Sequence, residues 1–315
     1  MAANFGNIPP EFDRTEHALF TVLSVPYEET TTYGKGTAWG PSAIIDASAQ
    51  VELYDEELRV ETYRLGIRTL PHFRWARSGA GPVERHRKFQ AALAGRIGRI
   101  LDAYPDTTLV SLGGEHSITP AIVSAFKRRY PRLSVLQLDA HADLRNEYEG
   151  SPFNHACAMR RVLEHCPVVQ VGIRNLCDEE APIVGAARRS GARRGRLATF
   201  FAHEWQGRER MRLLAKRILS KLSRDVYVTV DIDVFDPAFV PGTGTPEPGG
   251  LSWYDVLDVL RPVFRNRNVV GFDVVELSPV KGFLASEFTA AKLVYRLMGY
   301  KAAAWPRGAA QVKSK

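Results

Sequence analysis

Short apolar runs alternate along the chain with longer stretches in which apolar and polar residues follow a helical period. Runs of this kind without polar interruption are typical of strands that are buried on both faces of a sheet. The pattern predicts strands near residues 17–25, 61–67, 107–113, 133–139, 168–174, 197–202, 226–233 and 269–276. It predicts helices near residues 41–54, 84–104, 117–130, 154–164, 178–190, 208–222, 252–264 and 285–300.

This alternation predicts an α/β fold of three layers, α/β/α, in which helices cover both faces of a mainly parallel sheet of about eight strands. We expect one domain over residues 1–315, because α/β folds of this length commonly form a single core. Short flexible termini are expected at about 1–14 and 302–315. The segment 69–83 contains several prolines and glycines, which indicates an irregular connection.

Metal-binding side chains directly follow three of the predicted strands. They occur in residues 113–117 (GGEHS), 139–143 (DAHAD) and 231–233 (DID). Because the carboxyl ends of parallel strands meet at one edge of a sheet, these side chains are expected to lie close together. In the last two stretches, a spacing of two residues directs the polar side chains to one side of an extended segment. The candidate ligands are His116, Asp139, His141, Asp143, Asp231 and Asp233.

The number of carboxylates favours two cations over one. Four carboxylates around a single divalent ion would leave like charges close together, whereas two ions that share bridging carboxylates balance that charge. Paired metals about 3.5–4 Å apart are an established hydrolytic arrangement, in which a bound water becomes acidic. Oxygen-rich ligation with two imidazoles and no cysteine favours manganese, with iron, cobalt, nickel or zinc as alternatives. The other interpretation is a set of solvated strand-end carboxylates and helix caps.

In their order and spacing, the three motifs resemble those of the ureohydrolase family, which includes arginase and agmatinase. The third motif continues into residues 236–237 (DP) and 241–244 (PGTG), as it does in that family, and the similarity covers about residues 20–298. The resemblance implies an arginase-like fold and two manganese ions per subunit. It implies one ion held by His116, Asp139, Asp143 and Asp231, and another held by Asp139, His141, Asp231 and Asp233, with Asp139 and Asp231 as bridges.

The resemblance also implies roles for residues beside the metal pair. Glu276 matches a glutamate that binds the guanidinium group, Thr245 a threonine near it, and His155 a loop histidine that relays protons. The implied reaction is attack of a metal-bound hydroxide on the guanidinium carbon. It releases urea and an amine, which receives its proton through Asp143 or His155. The structural alternatives are that Glu276 is a solvated carboxylate, that Thr245 is a turn residue and that His155 is a loop histidine without a catalytic role.

The loop of residues 144–155 is similar to that of bacterial and archaeal agmatinases, which share its Tyr-Glu-Gly-Ser-Pro run. Arg145 stands where arginases carry an asparagine that reads the amino-acid end of arginine. The resemblance therefore favours agmatine, with putrescine and urea as products and a role in polyamine biosynthesis. Glu147 and Glu149 are candidate partners for the far ammonium of agmatine, or else solvated loop residues.

Other functions remain open at this point. Arg145 offers a bidentate guanidinium that suits a substrate carboxylate, so guanidinobutyrate or another guanidino acid is an alternative substrate. Arginine and small guanidines are further alternatives. A metal-binding regulatory protein that has lost catalysis is an alternative from a different class.

Composition and charge narrow the possible partners and the location. The chain is 45% hydrophobic and 24% charged, as is usual for a globular protein. No apolar run reaches membrane-spanning length and the start lacks a signal pattern, so we expect a cytoplasmic protein without a membrane partner. Three cysteines without paired spacing, Cys157, Cys166 and Cys177, are expected to be reduced thiols.

The net charge is +7, and part of it lies in an arginine cluster and a basic tail. The cluster consists of Arg188, Arg189, Arg193, Arg194 and Arg196. No interleaved aromatic residues or nucleic-acid motif accompany it, so we expect a solvated face and no nucleic-acid partner. The resemblance implies that such arginines serve subunit contacts in a homotrimer or homohexamer.

Overall fold

The computed structural model describes residues 4–76, 79, 81–189, 195–205 and 208–304. Eight strands form one sheet: β1 Phe20–Val25, β2 Ile67–Thr69, β3 Thr108–Gly113, β4 Ser134–Leu138, β5 Val168–Ile173, β6 Leu197–Phe201, β7 Asp225–Asp231 and β8 Asn268–Val275. Their spatial order is β2-β1-β3-β8-β7-β4-β5-β6, and every neighbouring pair is parallel. This confirms the predicted parallel sheet.

Helices cover both faces of the sheet. The α-helices of the described residues are α1 Pro10–Asp13, α2 Gly40–Ser48, α3 Pro82–Ala103, α4 Thr119–Arg129, α5 Ala158–Leu163, α6 Glu180–Arg189, α7 Arg208–Lys221, α8 Trp253–Asn266 and α9 Ala285–Ala304. Helices α2, α7, α8 and α9 contribute to the core on one face, and α3, α4, α5 and α6 to the core on the other. The molecule therefore has the three layers that the sequence predicts.

The strand order creates a crevice at the middle of the sheet. After β3 the chain passes to β4, and β8 and β7 later fill the gap between them. Strands β3, β4 and β5 are buried along their whole length, which explains their continuous apolar sequence. The carboxyl ends of β3, β8, β7 and β4 thus lie side by side, at the position where parallel α/β sheets bind their ligands.

One predicted strand and one predicted helix differ from the structure. Most of the strand predicted at 61–67 is a 3₁₀-helix, Thr62–Leu65, and strand β2 begins only at Ile67. The Tyr63 ring packs edge-on against Phe12, with centroids 5.1 Å apart, so a helical turn buries it instead of a sheet. The helix predicted at 41–54 ends at Ser48, whose hydroxyl donates to the Ile45 carbonyl at 2.6 Å.

Residues 5–13 lie within the amino terminus that the sequence predicts to be short and flexible. These residues form a 3₁₀-helix and helix α1, and Phe5 is buried. The Gly6 N–H donates to the Ser48 hydroxyl at 2.7 Å, which ties this segment to helix α2. At the other end, helix α9 runs to Ala304, and residues 305–315 lie outside the described part of the chain.

Several smaller expectations can be compared with the structure. All three cysteines are free thiols. In the arginine cluster, Arg188 forms an ion pair with Glu204 and lies over the Phe201 ring, while Arg193 and Arg194 fall outside the described residues. Among the described helices, none has both the length and the apolar character needed to cross a membrane.

Candidate metal centre and active-site cavity

The end of β3 approaches the loop after β1 very closely. A Cβ atom on Gly114 would overlap the Tyr27 carbonyl, so only glycine fits at this position. The Glu115 carboxylate then accepts two backbone N–H groups of that loop, including that of Thr30 at 2.7 Å. This contact fixes the turn that presents His116 to the carboxyl edge of the sheet.

His116 faces three carboxylates. Its Nδ1 atom lies 3.0 Å from Asp143 Oδ2, 3.1 Å from Asp139 Oδ2 and 3.5 Å from Asp231 Oδ2. This nitrogen is buried and has no hydrogen-bond partner within the described structure. Its Nε2 atom lies 2.9 Å from the Thr229 hydroxyl, so donation of the Nε2 proton to this hydroxyl would leave the Nδ1 lone pair for a cation.

A second group of ligand atoms adjoins the first. His141 Nδ1 lies 2.9 Å from Asp233 Oδ2 and 3.7 Å from Asp139 Oδ1. Within each of the groups His116–Asp139–Asp231 and Asp139–His141–Asp233, the ligand atoms lie within 4.8 Å of one another. Asp139 belongs to both groups. Such an arrangement can hold two cations that share a carboxylate.

Two residues at the carboxyl edge of the sheet adopt left-handed backbone conformations, which residues other than glycine rarely adopt. Asp143 has φ 53° and Glu276 has φ 63°. Such conformations cost of order 1–3 kcal/mol each and persist where surrounding contacts enforce them. Both residues direct polar groups toward the same cavity, so the strained positions coincide with the cluster of ligands.

Without cations, the buried carboxylates of this cluster repel one another, and their burial disfavours the ionised form. Burial, with repulsion from Asp233 and Asp143, raises the pKa of Asp139 to about 7. Burial and the neighbouring carboxylates of Asp233 and Asp139 also raise the pKa of Asp231 well above its usual range. Burial lowers the pKa of His141, but the Asp233 carboxylate raises it to about 10. The metal-free site therefore compensates for its excess charge by binding protons.

We expect the thermal stability of the metal-free protein to fall as pH rises from 5 to 8. The folded state binds a proton at Asp139 up to about pH 7, and His141 up to about pH 10, whereas the unfolded chain releases them near 3.8 and 6.5. Both differences lower the free energy of unfolding as pH rises. A bound divalent cation would replace these protons, so we expect the gain in Tm on adding Mn²⁺ to grow by several degrees between pH 5 and pH 8.

Differential scanning fluorimetry with chelator or with Mn²⁺, at matched ionic strength, measures both curves. A gain in Tm that is the same at pH 5 and pH 8 would show that protons and metal do not compete at this site.

A chain of buried amides supports the shared carboxylate. The Gln137 Nε2 atom donates to Asp139 Oδ2 at 2.7 Å, and its Oε1 atom accepts from Gln170 Nε2 at 2.7 Å. The Thr199 hydroxyl donates to Gln170 Oε1 at 2.8 Å. This chain crosses β4, β5 and β6 and fixes which way the Asp139 carboxylate faces. Sequence reasoning missed Gln137 and Thr229, although each stands two residues before a candidate ligand on the same side of its strand.

A cavity of about 250 Å³ opens over the ligand cluster. Glu276 lines it, and its Oε1 atom accepts the His116 N–H at 2.5 Å. His155 also lines it, and its Nδ1 atom lies 3.1 Å from the Thr30 hydroxyl, which donates to Glu115 Oε1 at 2.9 Å. Sequence reasoning did not identify Thr30, because this contact spans 125 residues of the chain.

The residues predicted for substrate binding divide into two groups. Arg145 and Thr245 line the cavity, and the Arg145 guanidinium lies over the Tyr148 ring, 4.4 Å from its centroid. Glu147 and Glu149 are exposed and do not line the cavity. Tyr148, which stands between them in the chain, lines the cavity instead, and contact of the two glutamates with the substrate stays a prediction.

The parallel sheet, its crevice and the ligand cluster define a three-layer α/β protein with a candidate site for two metal ions. A sequence model of the Arginase family matches residues 18–299. The chain belongs to the arginase family.

Individual relatives agree with this assignment. The chain is 40% identical to the N(1)-aminopropylagmatine ureohydrolase of Synechocystis sp. over 293 residues, covering 90% of this chain and 89% of the relative. It is 33% identical to the agmatinase of Pyrococcus horikoshii, covering 90% and 93%. The solved agmatine ureohydrolase of Thermoplasma volcanium superposes with a TM-score of 0.78 at 27% identity, covering 91% and 90%. The protein is therefore an agmatinase-like ureohydrolase, an enzyme that hydrolyses a guanidino group.

Proposed function

We propose that this enzyme hydrolyses the guanidinium group of N(1)-aminopropylagmatine, and that of agmatine as a shorter substrate, with two manganese ions. The observation that carries the proposal is the pair of ligand groups that share Asp139, beside a cavity lined by Glu276. The sequence alone favours agmatine. The greater identity to ureohydrolases named for the aminopropyl derivative, 40% and 38% against 33% for an agmatinase, moves the preference to the longer amine.

The donor atoms of this site suit manganese. In this proposal His116, Asp139, Asp143 and Asp231 would hold one ion, and Asp139, His141, Asp231 and Asp233 would hold the other. The buried Nδ1 atom of His116, which lacks a hydrogen-bond partner in the described structure, supports the fit, as does the oxygen-rich ligand set. When bound, such an ion pair lowers the pKa of a water molecule to about 7 and balances the charge of the carboxylates.

Glu276 orients the guanidinium group in this mechanism. Its carboxylate is buried and uses one oxygen to accept the His116 N–H, which leaves further lone pairs for the planar N–H groups of a guanidinium. Burial and the nearby Glu115 raise the pKa of Glu276 well above its usual range. A bound guanidinium cation favours the ionised form, so substrate charge and carboxylate charge are desolvated together.

We assign to His155 the donation of a proton to the departing amine. The Thr30 hydroxyl gives its only proton to Glu115, so it accepts from the Nδ1–H of His155. The Nε2 atom of His155 is then the atom that gains and loses a proton. Histidine is the side chain that most often performs such proton transfers.

We place the polyamine tail of the substrate along the outer wall of the cavity. Tyr33 lines this wall and is 82% exposed, so its ring offers an open face to an ammonium group. The Tyr148 face is already covered by Arg145. Since Arg145 also suits a carboxylate, a guanidino acid such as guanidinobutyrate is the second candidate substrate.

A panel of substrates tests this proposal. Mn²⁺-loaded protein is assayed for urea release from aminopropylagmatine, agmatine, arginine and guanidinobutyrate, with chelated protein as the control. We expect the highest kcat/KM for aminopropylagmatine, then agmatine, and at least about tenfold lower values for the two acids. A higher kcat/KM for arginine or guanidinobutyrate would overturn the substrate assignment. Absence of urea from all four, with two ions bound, would favour the regulatory alternative.

We expect His155→Asn to slow turnover by roughly 10²-fold while both metal ions remain bound, because a positioned general acid contributes about that much. The matched control is His165→Asn, which removes an exposed histidine just after the end of helix α5. Steady-state kinetics and metal analysis of both variants test the role. Equal kcat values in the two variants would remove His155 from the mechanism.

We also propose a homo-oligomer, the trimer or hexamer expected from the resemblance. Exposed apolar side chains around the start of helix α9 favour a covered surface there; they are Val280, Phe283, Leu284 and Phe288.

A further inference from the structure

We propose that Arg174 is a positioning residue that holds Asp233 and the substrate loop, residues 236–250, in the geometry that the active site requires. The inference rests on the proposed function, since it concerns the same metal pair. Arg174 directly follows β5, which pairs with β4, and β4 pairs in turn with β7, so the ligand-bearing segments at the ends of both strands lie on this side of the sheet.

The Arg174 side chain binds the backbone that carries Asp233. Its Nη2 atom donates to the carbonyl of Asp233 at 2.7 Å and to that of Phe235 at 3.3 Å, and its Nη1 atom donates to the Val234 carbonyl at 3.4 Å. These three consecutive carbonyls form the turn in which Asp233 leaves the sheet. Arg174 therefore fixes the direction from which the Asp233 carboxylate reaches His141.

The same guanidinium binds the far end of the substrate loop. It donates to the Glu247 carbonyl at 2.8 Å and to the Pro248 carbonyl at 3.1 Å. The Asp236 carboxylate closes the loop by accepting the N–H groups of Gly249 and Gly250, at 2.8 and 3.0 Å. At its tip, this loop carries Thr245, which lines the cavity. The Arg174 side chain thus joins residues 233–235, just before the loop, to Glu247 and Pro248 near its far end.

The backbone of Arg174 adds a link to the other ligand segment. Its N–H donates to the Ala140 carbonyl at 2.9 Å, between the candidate ligands Asp139 and His141. The Asn175 N–H donates to the same carbonyl at 3.1 Å. Arg174 consequently connects both ligand segments and the substrate loop.

The hydrogen-bond partners of Arg174 indicate a positioning role and not direct binding of metal or substrate. Arg174 does not line the cavity. Its donors are instead taken up by backbone carbonyls, including that of Gly172 at 3.3 Å. A planar fork of five N–H donors suits this many acceptors, whereas a lysine supplies three donors from a single atom.

The test compares Arg174→Met, Arg174→Lys and the control Arg132→Met, which removes an exposed guanidinium. Metal-free protein is titrated with Mn²⁺ by calorimetry, and KM for agmatine is measured. We expect Arg174→Met to weaken one of two binding steps by 10–100-fold, since residues that orient a ligand contribute about that much, and to raise KM about tenfold. Arg174→Lys should lie between this variant and wild type, and Arg132→Met should match wild type.

The outcomes distinguish this inference from the proposed function. If Arg174→Met binds both ions with wild-type affinity and keeps its KM while its Tm falls, the residue is merely structural and the inference is overturned. If Arg174→Met does not fold, Arg174→Lys decides, because wild-type affinities and KM in that variant contradict the need for the fork. Wild-type protein that binds fewer than two ions would instead overturn the proposed metal pair itself.

Discussion

Replacing Asp139 with asparagine is expected to reduce kcat by on the order of 10³-fold or more and to lower the metal content below two ions per chain. Asp139 belongs to both of the groups His116–Asp139–Asp231 and Asp139–His141–Asp233, so its loss affects both ions. An amide also presents an N–H group where a cation needs an oxygen. Its backbone contacts remain available, because the Asn Oδ1 atom can still accept the His141 N–H.

Metal analysis after dialysis and urea release under saturating substrate measure this effect. The matched control is Asp106→Asn, which changes an exposed aspartate just before β3, at the amino end of the sheet. We expect the control to bind metal and to turn over like wild type. An Asp139→Asn variant that retains two ions and near-normal kcat would show that the carboxylate is not a bridge.

Replacing Glu276 with glutamine is expected to lower kcat/KM by roughly 10²–10³-fold while metal content stays at the wild-type level. Removing the charge of one partner in a buried, hydrogen-bonded ion pair costs about 2–5 kcal/mol, and each 1.4 kcal/mol is a factor of ten. Glutamine retains a carbonyl oxygen, which can still accept the His116 N–H. The change thus removes the charge that faces the guanidinium and preserves the contact that supports His116.

Two results would contradict this role for Glu276. An unchanged kcat/KM would remove the carboxylate from substrate binding. A loss of metal together with activity would show that Glu276 acts through His116 and not through the guanidinium. The Glu276→Gln variant should also bind a neutral competitor such as urea as well as wild type does, which separates loss of charge from a collapsed cavity.

The sheet was largely predictable from the sequence because its strands are buried on both faces and read as continuous apolar runs. The strand predicted at 61–67 fails for a physical reason, since the alternation around Tyr63 comes from a helical turn that packs on Phe12 and on helix α9. The packing of residues 5–13 depends on the contact between Gly6 and Ser48, which no local pattern reveals.

The candidate ligands were predictable because they form compact motifs at strand ends, and the topology then brings those ends together. Supporting residues were harder to find. Gln137 and Thr229 each stand two residues before a candidate ligand and so lie on the same face of the strand. The two-residue repeat of strand side chains could therefore have identified them. Thr30 and Arg174 act across long stretches of chain, and only the folded structure shows their partners. Loop conformation likewise decides that Tyr148, and not Glu147 or Glu149, faces the cavity.

Anomalous diffraction at the manganese edge, from crystals of Mn²⁺-loaded protein, tests most directly whether these side chains form a binuclear centre. We predict two peaks per chain about 3.5–4 Å apart, one beside His116 and the other beside His141, with Asp139 touching both. A single peak, or peaks that lie away from these histidines in a crystal grown with excess Mn²⁺, would contradict the shared-carboxylate centre.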